Sequence, residues 1–314
     1  MVSWYGIGED WSQDVEPATD IDLVLSKWIT LLDRAEKWKF NTVRLAFRFP
    51  ESPSTPDTVV STINYETLDS LLGLLDSRHL KAIIDLHNYR DMYGWLGSSE
   101  WINCWVGLAQ KYKLDNRIIA YELFNEPFES CWDSSVVDYT GVLRVLAECV
   151  DAIRATGDNH TIVYPAPGYF GSLTVPLEYR RPNIVITHHP WSYGNPSTIE
   201  EAVNLADYRI SKFLPYRDQG FELWVGEFGQ HGASVGGGTT YEIEKAYVVR
   251  IINLALQHNL GFNWWLYSRN HWIEGSADDI LQTSNYSVPV SLPFHDDFAD
   301  LTKWTQLKGT WGVI

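Results

Sequence analysis

Two glutamates stand at positions where carboxylates can do paired acid–base work: Glu126 in Asn125-Glu126-Pro127 and Glu227 in Gly226-Glu227-Phe228-Gly229. Each closes a short run rich in β-forming residues, Ile118 to Phe124 before the first and Phe221 to Val225 before the second. A strand breaker, Pro127 or Gly229, follows each of them closely. This arrangement puts two carboxylates at the C-terminal ends of two separate strands. Cleavage of the acetal linkage between two sugars needs such a pair, one group to protonate the departing oxygen and one to attack or to activate water.

Positioning two such groups requires elements that hold strand ends together. Strand-like and helix-like segments alternate through most of the chain. Strands are expected at Trp4–Ile7, Thr42–Phe47, Ala82–Leu86, Ile118–Phe124, Thr161–Tyr164, Ile184–Thr187, Leu223–Gly226 and Phe262–Tyr267. Between them, Ile21, Val24, Leu25, Trp28, Leu32 and Ala35 fall on one helical face, as do Leu68, Leu71, Leu72 and Leu75. Further helices are expected over Glu100–Tyr112 and over Val136–Ala155, the latter closed by Gly157 near a C-cap position. Ser197-x-x-Glu200 and Thr239-x-x-Glu242 read as capping boxes that open two later helices. The crossover from Gly168 to Pro182 is poorly helical. Repeats of about 35 residues point to a closed (β/α)₈ TIM barrel over residues 1–283. No glycine-rich phosphate loop follows any strand, which argues against an open doubly wound sheet. Past residue 283 the pattern changes: Ser287 to Pro293 reads as a linker, and Phe294 to Val313 resembles the truncated start of a β-sandwich carbohydrate-binding domain.

With 24 Lys+Arg against 40 Asp+Glu, the formal net charge is −16, and no basic cluster interrupts it. A nucleic-acid partner is therefore not expected, whereas a neutral polymer meets no electrostatic penalty. The chain carries 15 Trp, whose flat indole faces can fill a barrel core or stack on pyranose rings. The three cysteines Cys104, Cys131 and Cys149 lack metal-ligand spacing; Cys149 reads as a buried helical residue, and Cys104 could pair with Cys131. No stretch approaches a membrane span, and a leader peptide trimmed from a secreted or cell-surface protein is expected. No metal and no cofactor is implied, and a monomer is expected.

Val43-Arg44, Asp85-Leu86-His87-Asn88-Tyr89, Leu123-Phe124-Asn125-Glu126-Pro127 and Val225-Gly226-Glu227-Phe228-Gly229 together resemble glycoside hydrolase family 5, the cellulase and mannanase family of clan A. The resemblance covers roughly residues 1–283 and follows the family's strand order. It implies a retaining endo-β-1,4-glucanase acting on a cellulose-type β-glucan or a related plant polysaccharide. A β-mannanase or xyloglucanase is the alternative, and a non-catalytic sugar-binding barrel is the alternative from another class. Glu126 is implied as acid/base and Glu227 as nucleophile, with carboxyls about 5 Å apart and the pKa of Glu126 raised. Arg44 would hold Glu227 ionised, Asn125 would bond the sugar 2-OH, and His87 would line the pocket. After the sixth strand the family shows a His and, two residues on, a Tyr that touches the nucleophile. Here Thr187-His188-His189-Pro190-Trp191-Ser192-Tyr193 places His189 as the site histidine and Trp191 where Tyr is expected, so either Trp191 or Tyr193 makes that contact. Trp264 and Trp265 both compete for the sugar platform of the eighth strand, with Trp265 favoured, and Asn88, Tyr89, Trp95, Trp132 and Trp272 would line the cleft.

Overall fold

The expected strands all form, and they close on themselves. In a computed structural model the eight are β1 Tyr5–Asp10, β2 Thr42–Phe47, β3 Lys81–Leu86, β4 Ile118–Glu122, β5 Thr161–Pro165, β6 Ile184–His188, β7 Glu222–Phe228 and β8 Gly261–Trp264. Every neighbouring pair is parallel, and β8 returns to β1 to complete a (β/α)₈ barrel. The structure describes residues 5–10, 28–29, 32, 40–47, 65–87, 96–127, 139–167, 174–192, 196–228 and 241–264. Among these, the helices are α1 Tyr65–Asp76, α2 Ser99–Tyr112, α3 Tyr139–Ala155, α4 Ile199–Phe213, the single turn α5 Pro215–Asp218, and α6 Tyr241–Gln257.

Alternation along the strands sorts their side chains into two cores. Ile83, Ala120, Val163, Val185 and Trp224, one from each of β3 to β7, pack together inside the barrel. The opposite parity, with Val43, Leu45, Ile84, Leu86, Tyr121, Ile162, Ile186, Leu223 and Val225, packs against the apolar faces of the helices. Leu68, Leu71, Leu72 and Leu75 are all buried, as their spacing requires. Trp28 and Leu32 are fully buried helical residues of the first crossover.

Several boundaries differ from the sequence reading. Pairing in β4 stops at Glu122, although Leu123 and Phe124 remain buried in the outer core. The Leu123 carbonyl is instead taken by the indole N–H of Trp105 on α2, at 3.1 Å. The strand β7 runs on to Phe228, so Glu227 lies within it. The helix α4 is capped one residue later than the Ser197–Glu200 box implies: Thr198 accepts from the Glu201 N–H at 3.1 Å, and the Glu201 carboxylate accepts from the N–H and hydroxyl of Ser197. Two overlapping matches compete there, and the one whose first residue is extended becomes the cap. Gly157 follows α3 with φ +88°, a left-handed position that glycine takes without strain. The crossover between β5 and β6 contributes one 3₁₀ turn, Leu177–Tyr179, among its described residues. Cys104 and Cys149 are buried free thiols on α2 and α3, and Cys131, the other half of the pairing left open by the sequence, lies outside the described residues. Among the described residues no helix is long and apolar enough to cross a membrane. The Thr239 box and residues 284–314 lie outside the described residues.

Candidate active site

The C-terminal rim of the barrel gathers Arg44 from β2, Asp85 from β3 and His87 just after it, Glu122 from β4 with Asn125 and Glu126 beyond its end, His189 after β6 and Glu227 from β7. Arg44 is fully buried and uses all three of its nitrogens. Nε donates to Glu122 Oε2 at 2.7 Å, Nη1 to Glu227 Oε2 at 2.9 Å, and Nη2 to Asn125 Oδ1 at 2.7 Å with Asp85 Oδ2 at 3.0 Å. Arg44 is paired in register with Gly8 of β1. Burial opposes its charge, but Asp85, Glu122 and Glu227 together raise its pKa further above the usual value.

His87 Nδ1 lies 2.8 Å from Asp85 Oδ2, and its Nε2 lies 3.5 Å from the amide nitrogen of Asn125. The tautomer that satisfies both contacts has Nδ1–H donating to the carboxylate. Asn125 is thereby held from both sides, by Arg44 on its oxygen and His87 near its nitrogen. Glu126, next in sequence, adopts φ +45°, a left-handed conformation that is uncommon outside glycine. Strained backbone of this kind collects at functional sites.

His189 sits among three carboxylates. Its Nδ1 is 2.6 Å from Glu126 Oε1 and 3.7 Å from Glu227 Oε2, and its Nε2 is 3.7 Å from Glu122 Oε1. Burial alone would lower the imidazole pKa, but Glu227, Glu122 and Glu126 lift it well above the ordinary value. The chain reverses just beyond it, where the Trp191 N–H donates to the His189 carbonyl at 2.9 Å and the Tyr247 hydroxyl of α6 donates to the Pro190 carbonyl at 2.7 Å.

The direction of Glu227 comes from an irregularity in β7. Val225 pairs with Phe262 and Phe228 with Trp264, so three residue steps on β7 face two on β8. The extra residue is a β-bulge, and it changes the alternation. Leu223, Val225 and Phe228 all pack in the outer core, while Glu227 between them turns inward to Arg44. Gly226 makes this possible: a Cβ there would lie 2.1 Å from Thr187 Oγ1 and 3.1 Å from His189 Nε2. Burial and the charge of Glu126 push the Glu227 carboxyl up to about 6, against the opposing pull of His189 and Arg44. For Glu122, burial is outweighed by Arg44 and His189, which hold its carboxyl at about 2.

One donor atom each from Glu126, His189 and Glu227 lies within 4.8 Å of the others. That distance would suit a metal ion, but the protein's own cations already serve these atoms, Arg44 on Glu227 and the ring of His189 on Glu126. What the cluster does offer is two carboxylates within 4.8 Å at the ends of β4 and β7, each with a cationic partner.

The sequence matches the family model described as cellulase (glycosyl hydrolase family 5) over residues 7–271. The chain belongs to glycosyl hydrolase family 5. It is thus a hydrolase of the glycosidase class on a TIM-barrel frame. No curated protein matches the chain. Similar solved structures include the Clostridial cellulose synthase subunit Z of Clostridioides difficile, 18% identical, covering 90% of this chain and 99% of that one with a TM-score of 0.66. Endoglucanase Cel5A of Thermotoga maritima is 16% identical, covering 88% and 96%, with a TM-score of 0.62. PbGH5A of Prevotella bryantii, crystallised with a xyloglucan oligosaccharide, is 15% identical, covering 94% and 96%, with a TM-score of 0.66. At these identities the likeness is one of fold.

Of the residues singled out in the sequence, the fold brings Arg44, His87, Asn125, Glu126, His189 and Glu227 into one network. Trp191 is buried and joined to His189 through its backbone. Trp264 ends β8, but its side chain, like Tyr193, Trp265, Asn88, Tyr89, Trp95, Trp132 and Trp272, lies outside the described residues. Sequence reasoning assigned no role to Asp85 or Glu122. Both are charges inside apolar strands, Lys81–Leu86 and Ile118–Glu122, and a buried charge in a strand demands a counter-charge. Arg44 was the available partner.

Proposed function

We propose that this family 5 hydrolase is an endo-acting β-1,4-glucanase that cleaves with retention of configuration. The reading is carried by the close approach of Glu126 and Glu227, one oxygen of each lying within 4.8 Å of the other, because inverting enzymes need wider spacing to admit water between carboxylate and sugar. Glu126 protonates the glycosidic oxygen while the Glu227 carboxylate attacks the anomeric carbon from the opposite face. The carbon–oxygen bond breaks and a glycosyl ester forms on Glu227. Glu126, now ionised, takes a proton from water whose oxygen attacks the same carbon and frees Glu227. Arg44 fixes both the nucleophile and Asn125, the group that meets the sugar 2-OH, and His87 holds Asn125 from its other side. His189 and Glu126 share one proton across 2.6 Å, so the acid has a proton at hand although it is flanked by negative charge.

A xyloglucan-cleaving specificity is the second reading, favoured by the fold likeness to PbGH5A, whose crystal holds a xyloglucan oligosaccharide. A polymeric substrate also favours a secreted or cell-surface location. The test is product release from a soluble cellulose derivative, glucomannan, xyloglucan, xylan and laminarin, with Glu227→Ala in parallel. Activity on the cellulose derivative that Glu227→Ala lowers by about 10⁴-fold or more supports the first reading. Activity confined to xyloglucan supports the second. No hydrolysis of any glycan, with sugar binding intact, returns the chain to a non-catalytic role.

A further inference from the structure

Glu122 has no place in the chemistry just described, yet it touches both cations of the site. Its carboxylate is 1% exposed. Oε2 takes Arg44 Nε at 2.7 Å, and this contact fixes the rotation of the guanidinium, so that Nη1 and Nη2 face Glu227 and Asn125. The other oxygen, Oε1, is buried without a hydrogen-bond partner, and so is His189 Nε2. The two atoms face each other at 3.7 Å. Buried polar atoms are nearly always paired, and a small rotation of the ring or the carboxylate closes this gap.

We propose that Glu122 is a positioning residue that keeps the proton on Nε2 of His189 and thereby leaves Nδ1 free to share a proton with Glu126. The proposal rests on the reading of Glu126 as the acid. With Nε2–H directed at Glu122, the ring and Glu126 can be written as imidazolium and carboxylate or as imidazole and carboxylic acid. In both forms one proton lies between Nδ1 and Oε1, and Glu126 can deliver it. If Nε2 loses its proton, the only ring proton is the one on Nδ1. Handing that on would leave an imidazolate, so Glu126 stays ionised and the acid is lost.

Glu122→Gln keeps the shape and reverses the polarity. Its amide oxygen stays on Arg44 Nε, and its NH₂ then faces Nε2 and makes that nitrogen the acceptor. The variant should lose about 100-fold in kcat/KM on the polymer that the wild type cleaves, where the leaving group needs a proton. On dinitrophenyl cellobioside, whose leaving group needs none, it should lose only a few-fold. Glu126→Gln must show the same split, or the reading of Glu126 as the acid fails and not merely the role of Glu122. If Glu126→Gln shows the split and Glu122→Gln loses both substrates equally, Glu122 serves only to hold the fold and the proposal is overturned. The ¹⁵N shifts of His189 decide independently of any variant. The wild type should carry a protonated Nε2, and a bare Nε2 there overturns the proposal even if Glu122→Gln does not fold.

Discussion

Arg44 shows why one buried cation can organise several carboxylates: its planar fork spends three nitrogens on Glu122, Glu227 and Asn125 in fixed directions. Glu126 and Glu227 were legible from their type and strand-end position, and Arg44, His87, Asn125 and His189 from the family resemblance of the motifs that carry them. Asp85 and Glu122 were not legible because each sits near the end of a strand with no breaker after it to set it apart, and only the third dimension brings Arg44 against them. Glu227 also carries a consequence for stability. Its carboxyl is raised from 4.5 to about 6 in the fold. Below about pH 4.5 it is protonated in both folded and unfolded chains, so its stabilising contribution is fully present there and is lost as pH rises through 6. The loss is about 2 kcal/mol. Glu227→Gln stays neutral at every pH and can still accept from Arg44. The melting temperature of the variant minus that of the wild type should therefore be near zero at pH 4.5 and grow through pH 6 to a plateau. A calorimetric difference that is flat across this range would show that ionising Glu227 costs the fold nothing.

At the level of elements, apolar runs of β-forming residues predicted the strands well and the bulge not at all. Alternation counted from Leu223 and Val225 sends Glu227 outward, and it is the extra residue in β7 that turns it in. The single sequence hint was Gly226, whose missing side chain is the space that Thr187 and His189 occupy. The capping box of α4 slipped for a related reason: overlapping motifs cannot be ranked until the backbone chooses one extended residue. Gly226→Ala forces a methyl to within 2.1 Å of Thr187 Oγ1. Overpacking of this kind costs about 1–3 kcal/mol, and here it also displaces His189 from Glu126. Denaturant melts should show the loss together with a fall in kcat. Because the worst contact is with a hydroxyl, Thr187→Ala placed in the same chain should recover a good part of the stability. If the double variant is no better than the sum of the singles, the close approach to Thr187 is not what requires glycine.

For the molecule as a whole, closure of β8 onto β1 means that every strand end is placed by two neighbours. A network built from β2, β3, β4, β6 and β7 can therefore stay rigid while the connecting loops vary. That division made the barrel legible from the repeat of strand and helix, while the aromatic residues expected in the loops remain readings of the sequence. It also bears on residues 284–314, which fall beyond the family match ending at 271 and beyond the last described strand, Gly261–Trp264. Among the described residues, the ion-pair partners of Arg44 and His189 given above lie at or before Glu227. We propose that residues 1–283 are a complete catalytic unit and that the remainder begins a separate sugar-binding module. A chain stopped at 283 should then melt within about 2 °C of the full chain, a shift worth only about 1 kcal/mol for a domain this large. It should also keep its kcat/KM on a soluble glucan. A large fall in melting temperature would mean that 284–314 packs on the barrel and belongs to its fold. Unchanged stability and unchanged retention on insoluble cellulose would leave the segment as a linker without affinity of its own. Weaker retention on the solid polymer alone would assign it the sugar-binding role.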